Sequence, residues 1–185
     1  MRVRHVSEAL MLGMLPRRAG AVISITEPGR AAVLPKAEEW GALLRVGFAD
    51  AEYDEAMLAR LAARGVVFSP RGLGFPTRES THAIGGFLCG LRFRTDIDEL
   101  VVHCHAGRRR SAAVARYAAE VLGWAWADPH DDYNRTVYAL LQDPGRFDHV
   151  EPARSASWVG AVGAWAMDRV RRLGEIGRAS CRERV

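Results

Sequence analysis

The sequence is poor in three features that would assign it to common protein classes: lysine, cysteine and long apolar runs. Of its 185 residues only Lys36 is a lysine, and only Cys89, Cys104 and Cys181 are cysteines. Three cysteines cannot all pair within one chain, and no two of them have the spacing of a zinc motif. The sequence therefore predicts neither a disulfide framework nor a metal site, and we expect a reducing, cytoplasmic environment.

Membrane and nucleic-acid partners are not expected either. No apolar run in the sequence approaches membrane-spanning length. The apolar segment Ala9–Leu15 is too short for a signal peptide, Glu8 precedes it, and no small-residue cleavage site follows. The net charge is only +4, almost all of the basic residues are arginine, and no basic stripe is interleaved with aromatic residues.

The length and composition predict one globular domain. Hydrophobic residues make up 49% of the chain, which is enough for a core in a domain of this size. We expect one catalytic domain over residues 1–174. The final segment EIGRASCRERV, residues 175–185, resembles the translation of a sequencing adapter, so we expect it to be non-native and leave it out of the prediction of fold and function.

Strand and helix patterns alternate along the chain. Apolar β-rich runs predict strands at Ala21–Thr26, Leu43–Phe48 and Glu99–Cys104. Helical periodicity and capping residues predict helices after Ser7, over 52–65, after Thr77, over 111–123, from an N-cap at Asp128, and over 155–173. We expect 155–173 to pack on the core, with a membrane or partner surface as the alternative reading. The alternation predicts an α/β fold with a central, mostly parallel sheet flanked by helices.

One short stretch, HCHAGRRRS, joins a predicted strand to a predicted helix and carries the chemistry. Cys104 ends the strand, five residues follow, and Arg110 and Ser111 begin the helix. Free amides at a helix start and a loop curled around them bind anions, and a guanidinium binds two phosphate oxygens. The same positive field favours the thiolate form of a cysteine. We expect Ser111 to hydrogen-bond that thiolate and His103 to brace the loop.

The motif H-C-x5-R-S resembles the signature loop of the cysteine-based protein tyrosine phosphatases, and the surrounding residues 99–123 resemble the small bacterial members close to the dual-specificity group. The resemblance implies a sheet of four or five strands and two-step hydrolysis through a phosphocysteine, without metal or cofactor. It implies Cys104 as the nucleophile, Arg110 as the phosphate clamp, and Ser111 as an aid to thiolate departure. The backbone amides implied to hold the phosphate oxygens are those of His105, Ala106, Gly107, Arg108, Arg109 and Arg110.

The resemblance also implies a general acid, since relatives carry an aspartate just after a strand in a pattern such as F-x-D. In VGFADAEYDE, Asp50 holds that position, and Glu52 and Asp54 are close rivals. All three carboxylates also suit the start of a helix, where the helix dipole favours negative charge. Asp50 is our prediction for the general acid.

The expected partner is a phosphorylated protein or another phosphomonoester, with phosphotyrosine first and phosphoserine or phosphothreonine as further substrates. Arg108 and Arg109 add positive charge to the loop, so a phosphoinositide or other strongly anionic small molecule is the alternative substrate. Sulfur transfer, arsenate reduction and phosphate binding without catalysis also stay open.

Overall fold

A five-stranded sheet, parallel throughout, forms the centre of the protein in a computed structural model that describes residues 1–32, 34 and 36–148. The strands are β1 (Arg2–Ser7), β2 (Gly20–Thr26), β3 (Ala42–Gly47), β4 (Glu99–Cys104) and β5 (Ala125–Trp126). Their order across the sheet is β3-β2-β4-β1-β5. Strands β2 and β4 are buried along their whole length, as expected for a parallel sheet with covered faces.

Helices occupy connections between the strands, and one further helix follows the last strand. They are α1 (Glu8–Leu12), α2 (Glu55–Ala63), α3 (Arg78–Leu91), α4 (Arg110–Leu122) and α5 (Arg135–Gln142), with a short 3₁₀ helix at Ala37–Glu39. Four of the α-helices begin at a side chain that accepts a hydrogen bond from a backbone N–H of the first turn; these N-caps are Ser7, Asp54, Thr77 and Asn134. The architecture confirms the predicted α/β class.

The two faces of the sheet carry separate clusters of buried side chains. Alternate residues of a strand point to opposite faces, so Val101 and Val102 of β4 belong to different clusters. Val102 and Cys104 pack with apolar residues of α3, α4 and α5. Val101 packs on the other face with a cluster that includes Met11 of α1 and Trp40. The thiol of Cys104 therefore belongs to the face that α4 covers.

The prediction of a helix starting at Asp128 and Pro129 was wrong. That helix is α5, and it begins at Arg135 after an N-cap at Asn134. Residues 127–134 make tertiary contacts instead of helical turns: Ala127 N donates to Val3 O, and Asn134 N donates to Arg109 O. These bonds satisfy backbone groups of the segment outside a helix, so the local capping signal at Asp128 did not decide the conformation.

The sequence pattern does not predict strands β1 and β5. Strand β1 reads RVRHVS, in which charged residues interrupt the apolar ones, and it forms by parallel pairing with β4 from Arg2↔Glu99 to Ser7↔Cys104. Strand β5 has only two residues. The predicted helix over 155–173 and the tail 175–185 lie outside the described residues. Among the residues that are described, no helix has the length and apolar character needed to cross a bilayer.

Candidate active site

The predicted nucleophile lies at the carboxyl end of the middle strand of the sheet. Parallel α/β sheets bind their ligands at this edge. Cys104 is the last residue of β4, its thiol is free, and its side chain is almost fully buried. Its sulfur lies 3.2 Å from the Ser111 hydroxyl oxygen in the first turn of α4. When the sulfur is a thiolate, the Ser111 hydroxyl is the group in position to donate to it.

The loop between β4 and α4 is held close to the end of β1. Gly107 has a φ of +72°, and a Cβ atom there would lie 2.2 Å from the Ser7 nitrogen and 2.4 Å from the Val6 carbonyl carbon. Only glycine adopts this backbone conformation freely and allows such a close approach. The carbonyl oxygen of His105 accepts a hydrogen bond from Glu8 N at 3.2 Å. The loop is therefore fixed from the side of β1 and α1.

The amides of this loop have no acceptor of their own. Within the described part of the chain, the backbone N–H groups from Ala106 to Arg109 donate to no other group. A run of consecutive amides in a tight turn forms a concave site for an anion. The start of α4 lies directly after it and adds the positive end of a helix dipole.

The Arg110 side chain is buried beside this loop and is held from two other strands. Its Nη1 donates to the carbonyl oxygen of Phe48, just after β3, at 2.7 Å. The same nitrogen lies 2.7 Å from Oε1 of Glu27, just after β2. The buried Nε has no hydrogen-bond partner among the described residues. A buried guanidinium with an unused N–H is suited to grip an oxyanion.

The three predicted acids have different surroundings. Asp54 caps α2 and accepts a hydrogen bond from Met57 N at 2.7 Å. Glu52 accepts from Arg135 N at 2.7 Å and pairs with Arg109 at 2.9 Å. Asp50 lies two residues after Phe48, the residue whose carbonyl oxygen binds Arg110.

The Asp50 carboxylate itself accepts one hydrogen bond and lies near one cation. Asn134 Nδ2 donates to Asp50 Oδ1 at 2.9 Å, and Arg109 Nη1 lies 3.8 Å from the same oxygen. The structure thus places Asp50 beside the loop that follows Cys104, with no backbone N–H bonded to its carboxylate among the described residues. Of the three acids, Asp50 is the one not committed to the start of a helix.

Both extra arginines of the loop form ion pairs with nearby carboxylates. Arg108 donates to Asp132 at 3.0 Å, and Arg109 lies between Glu52, Asp50 and Asp132. Their positive charge is therefore largely balanced by groups of the chain itself. His105 is exposed, and its Nδ1 lies 3.5 Å from Glu8 Oε2.

His103 is fully buried in β4, on the sheet face opposite Cys104. Neither ring nitrogen has a hydrogen-bond partner among the described residues, so the loop is not braced by a hydrogen bond from this side chain. Burial lowers the pKa of His103 from its usual 6.5 to about 4; the Glu8 carboxylate opposes this effect and the Arg45 guanidinium adds to it. The imidazole is neutral at neutral pH.

The sequence pattern predicts no site role for two residues at this edge of the sheet, Glu27 and Asn134. Glu27 follows β2, and a search for polar residues just after predicted strands would have found it. Asn134 stands where a helix N-cap is preferred, but nothing in the pattern connects it to Asp50. In the described residues no three His, Cys, Asp or Glu side chains form a group that could hold a metal ion.

Comparisons with protein-family models, with curated proteins and with solved structures gave no match to this chain.

Proposed function

We propose that the chain is a cysteine-dependent phosphatase that hydrolyses phosphomonoesters, with phosphotyrosine as the first substrate and phosphoserine and phosphothreonine as further ones. One observation carries the proposal: a buried free thiol, Cys104, ends the middle strand and is followed by a buried arginine and by a loop whose amides have no acceptor among the described residues. A thiol nucleophile, an anion cradle and a guanidinium are the groups that phosphoryl transfer needs at one place.

In the first step the Cys104 thiolate attacks the phosphorus atom. The S–P bond forms while the bond from phosphorus to the ester oxygen breaks, and that oxygen leaves with a proton from Asp50. The loop amides and Arg110 hold the other three phosphoryl oxygens. Their contribution is electrostatic stabilisation of charge on those oxygens in the transition state.

In the second step water attacks the phosphocysteine. The new P–O bond forms as the S–P bond breaks, the proton from water passes to Asp50, and inorganic phosphate is released. The departing sulfur carries negative charge, and the Ser111 hydroxyl, 3.2 Å away, stabilises it by donating a hydrogen bond. The enzyme returns to its starting protonation state.

The alternative substrates receive no separate support from the geometry. The phosphoinositide alternative was based on the charge of Arg108 and Arg109, and both side chains are paired with carboxylates of the chain. No observation favours sulfur transfer, arsenate reduction or binding without turnover over hydrolysis. These remain outcomes that an assay distinguishes.

The test is turnover of para-nitrophenyl phosphate and of a phosphotyrosine peptide in the presence of EDTA. We expect the parent to release phosphate from both, and the Cys104→Ser variant to lose turnover while it still binds the peptide. Normal turnover by Cys104→Ser would remove Cys104 from the mechanism, and an inactive parent would overturn the proposal.

A further inference from the structure

Asn134 is fully buried and joins three segments of the site. Its backbone N–H donates to the carbonyl oxygen of Arg109 in the loop after Cys104, at 3.1 Å. Its side-chain amide donates to Asp50 Oδ1 at 2.9 Å and to the carbonyl oxygen of Ala51 at 3.1 Å. The same residue caps α5. The loop, the acid segment and the helix therefore meet at one residue, the loop through its backbone N–H and the other two through its side chain.

The orientation of this amide is fixed by its partners. Oδ1 of Asn134 accepts a hydrogen bond from Val137 N at 2.9 Å, so Nδ2 must be the atom that faces Asp50 and Ala51. Both hydrogens of Nδ2 have an acceptor. A buried amide with three good hydrogen bonds cannot rotate without losing several of them.

We propose that Asn134 is a positioning residue that holds the Asp50 carboxyl group for proton transfer and makes Oδ2 the oxygen that carries the proton. This inference rests on the proposed function. Oδ1 is occupied by the N–H of Asn134, so the proton of a protonated Asp50 resides on Oδ2. The bond from Asn134 N to Arg109 O fixes this acid segment against the loop that would hold the phosphoryl group.

Asp50 needs this hydrogen bond because the segment that carries it does little to fix the orientation of its side chain. It lies in the irregular stretch between β3 and α2, and about a third of its side chain is exposed. Arg109 Nη1, 3.8 Å from Oδ1, attracts the same carboxylate. Without the amide, the carboxyl group can rotate towards Arg109, and a guanidinium at close range favours the ionised form, which has no proton to donate. Small displacements of a catalytic group cost large factors in rate.

The sharpest test is a series of aryl phosphates whose leaving groups range from acidic to basic. A general acid matters for a basic leaving group and hardly at all for one that leaves as a stable anion. The Asn134→Ser variant keeps a good N-cap for α5, because serine caps about as well as asparagine, but loses the donor to Asp50. Thr77→Ala, which removes the N-cap of α3, is the control for a lost cap.

For Asn134→Ser we expect kcat/KM to fall about 100-fold with phenyl phosphate and to stay within about threefold with 2,4-dinitrophenyl phosphate. Asp50→Asn should show the same dependence on the leaving group, and the double variant should be no worse than Asp50→Asn alone. In Thr77→Ala, kcat/KM should depend on the leaving group as it does in the parent.

An equal loss with all leaving groups in Asn134→Ser would assign Asn134 a merely structural role and overturn the inference. Independent, multiplying losses in the double variant would overturn it as well. In both cases an active parent leaves the proposed function standing. A parent that hydrolyses none of the esters would show instead that the proposed function is wrong, and the inference would fall with it.

Discussion

Arg110 Nη1 lies 2.7 Å from Glu27 Oε1 and donates to the carbonyl oxygen of Phe48 at 2.7 Å, so the ends of β2 and β3 together orient one buried guanidinium. Both contacts are made by Nη1 of the guanidinium. Its Nε, on the opposite edge of the group, has no partner among the described residues. Arg110 is therefore held in place by two groups of the chain, while its Nε–H is left for the phosphoryl oxygen that the proposed function requires.

Glu27→Ala should lower kcat/KM for para-nitrophenyl phosphate about tenfold, because a hydrogen bond to a charged group is worth about 1.5–3 kcal/mol and its loss leaves Arg110 Nη1 held by the Phe48 carbonyl alone. Glu27→Gln keeps an oxygen acceptor at the same position and should retain most of the activity. Steady-state kinetics of both variants check this prediction. Equal activity of the parent and Glu27→Ala would show that Glu27 does not orient Arg110.

Gly107→Ala should prevent the loop from adopting its conformation, because the added Cβ would lie 2.2 Å from a backbone nitrogen and φ is positive. We expect a loss of at least about 3 kcal/mol in the free energy of unfolding, together with loss of turnover. Gly123→Ala is the matched control: its φ is +68°, but no atom lies within 4 Å of the added Cβ.

Gly123→Ala should therefore cost only the backbone strain, roughly 1 kcal/mol, and keep turnover. Urea unfolding and an activity assay of the two variants measure both effects. Similar losses in the two variants would mean that the close approach of Gly107 to β1 is unimportant.

Acidification should destabilise the protein through His103. The pKa of the folded histidine is about 4 and that of the unfolded one is near 6.5, so well above pH 6.5 both forms are neutral. As the pH falls from 6.5 to about 4, the unfolded chain gains a proton that the folded protein does not, and the free energy of unfolding falls. The gap between the two pKa values sets an upper bound of about 3 kcal/mol for this loss.

Comparison with His103→Leu isolates this contribution, because the variant has a buried side chain that does not titrate. Relative to the parent, it should become more stable by up to about 3 kcal/mol between pH 7 and pH 4 in urea unfolding. A constant difference between parent and His103→Leu across this range would contradict the buried neutral state of His103.

Ser111→Ala should slow the second step of the proposed reaction more than the first, because the Ser111 hydroxyl contacts the Cys104 sulfur, which would be the leaving group of that step. We expect a burst of aryl alcohol equal to the enzyme concentration, followed by a steady rate about tenfold or more below that of the parent. Stopped-flow measurement of para-nitrophenol release checks this. A uniformly slow reaction without a burst would show that Ser111 does not act mainly in the second step.

The central part of the fold could be predicted because local and tertiary preferences agree there. β2 and β4 are apolar runs that suit a sheet covered on both faces, and α4 ends at Gly123, which has the left-handed conformation that a helix end favours. Strand β1 could not be predicted in this way. Its arginines and histidine break the apolar pattern, and its pairing with β4 joins residues 97 positions apart, as the Arg2–Glu99 contact shows.

In the candidate site, too, contacts within one short motif could be predicted, and contacts between distant segments could not. Cys104, Arg110 and Ser111 occur within one short motif, so their proximity follows from one strand, one loop and one helix start. Asn134 and Asp50 are 84 residues apart, and their hydrogen bond depends on where the whole chain places α5. The spacing of residues along the sequence carries no signal for such a contact, and the same holds for Glu27 beside Arg110.

The most direct test of the central claim is rapid acid quenching of the parent during turnover of a phosphotyrosine peptide, followed by mass spectrometry of the intact protein and its peptides. We expect a transient phosphoryl group on Cys104 that accumulates in Ser111→Ala and is missing in Cys104→Ser. Turnover without any phosphoenzyme, or with the phosphoryl group on a different residue, would contradict it.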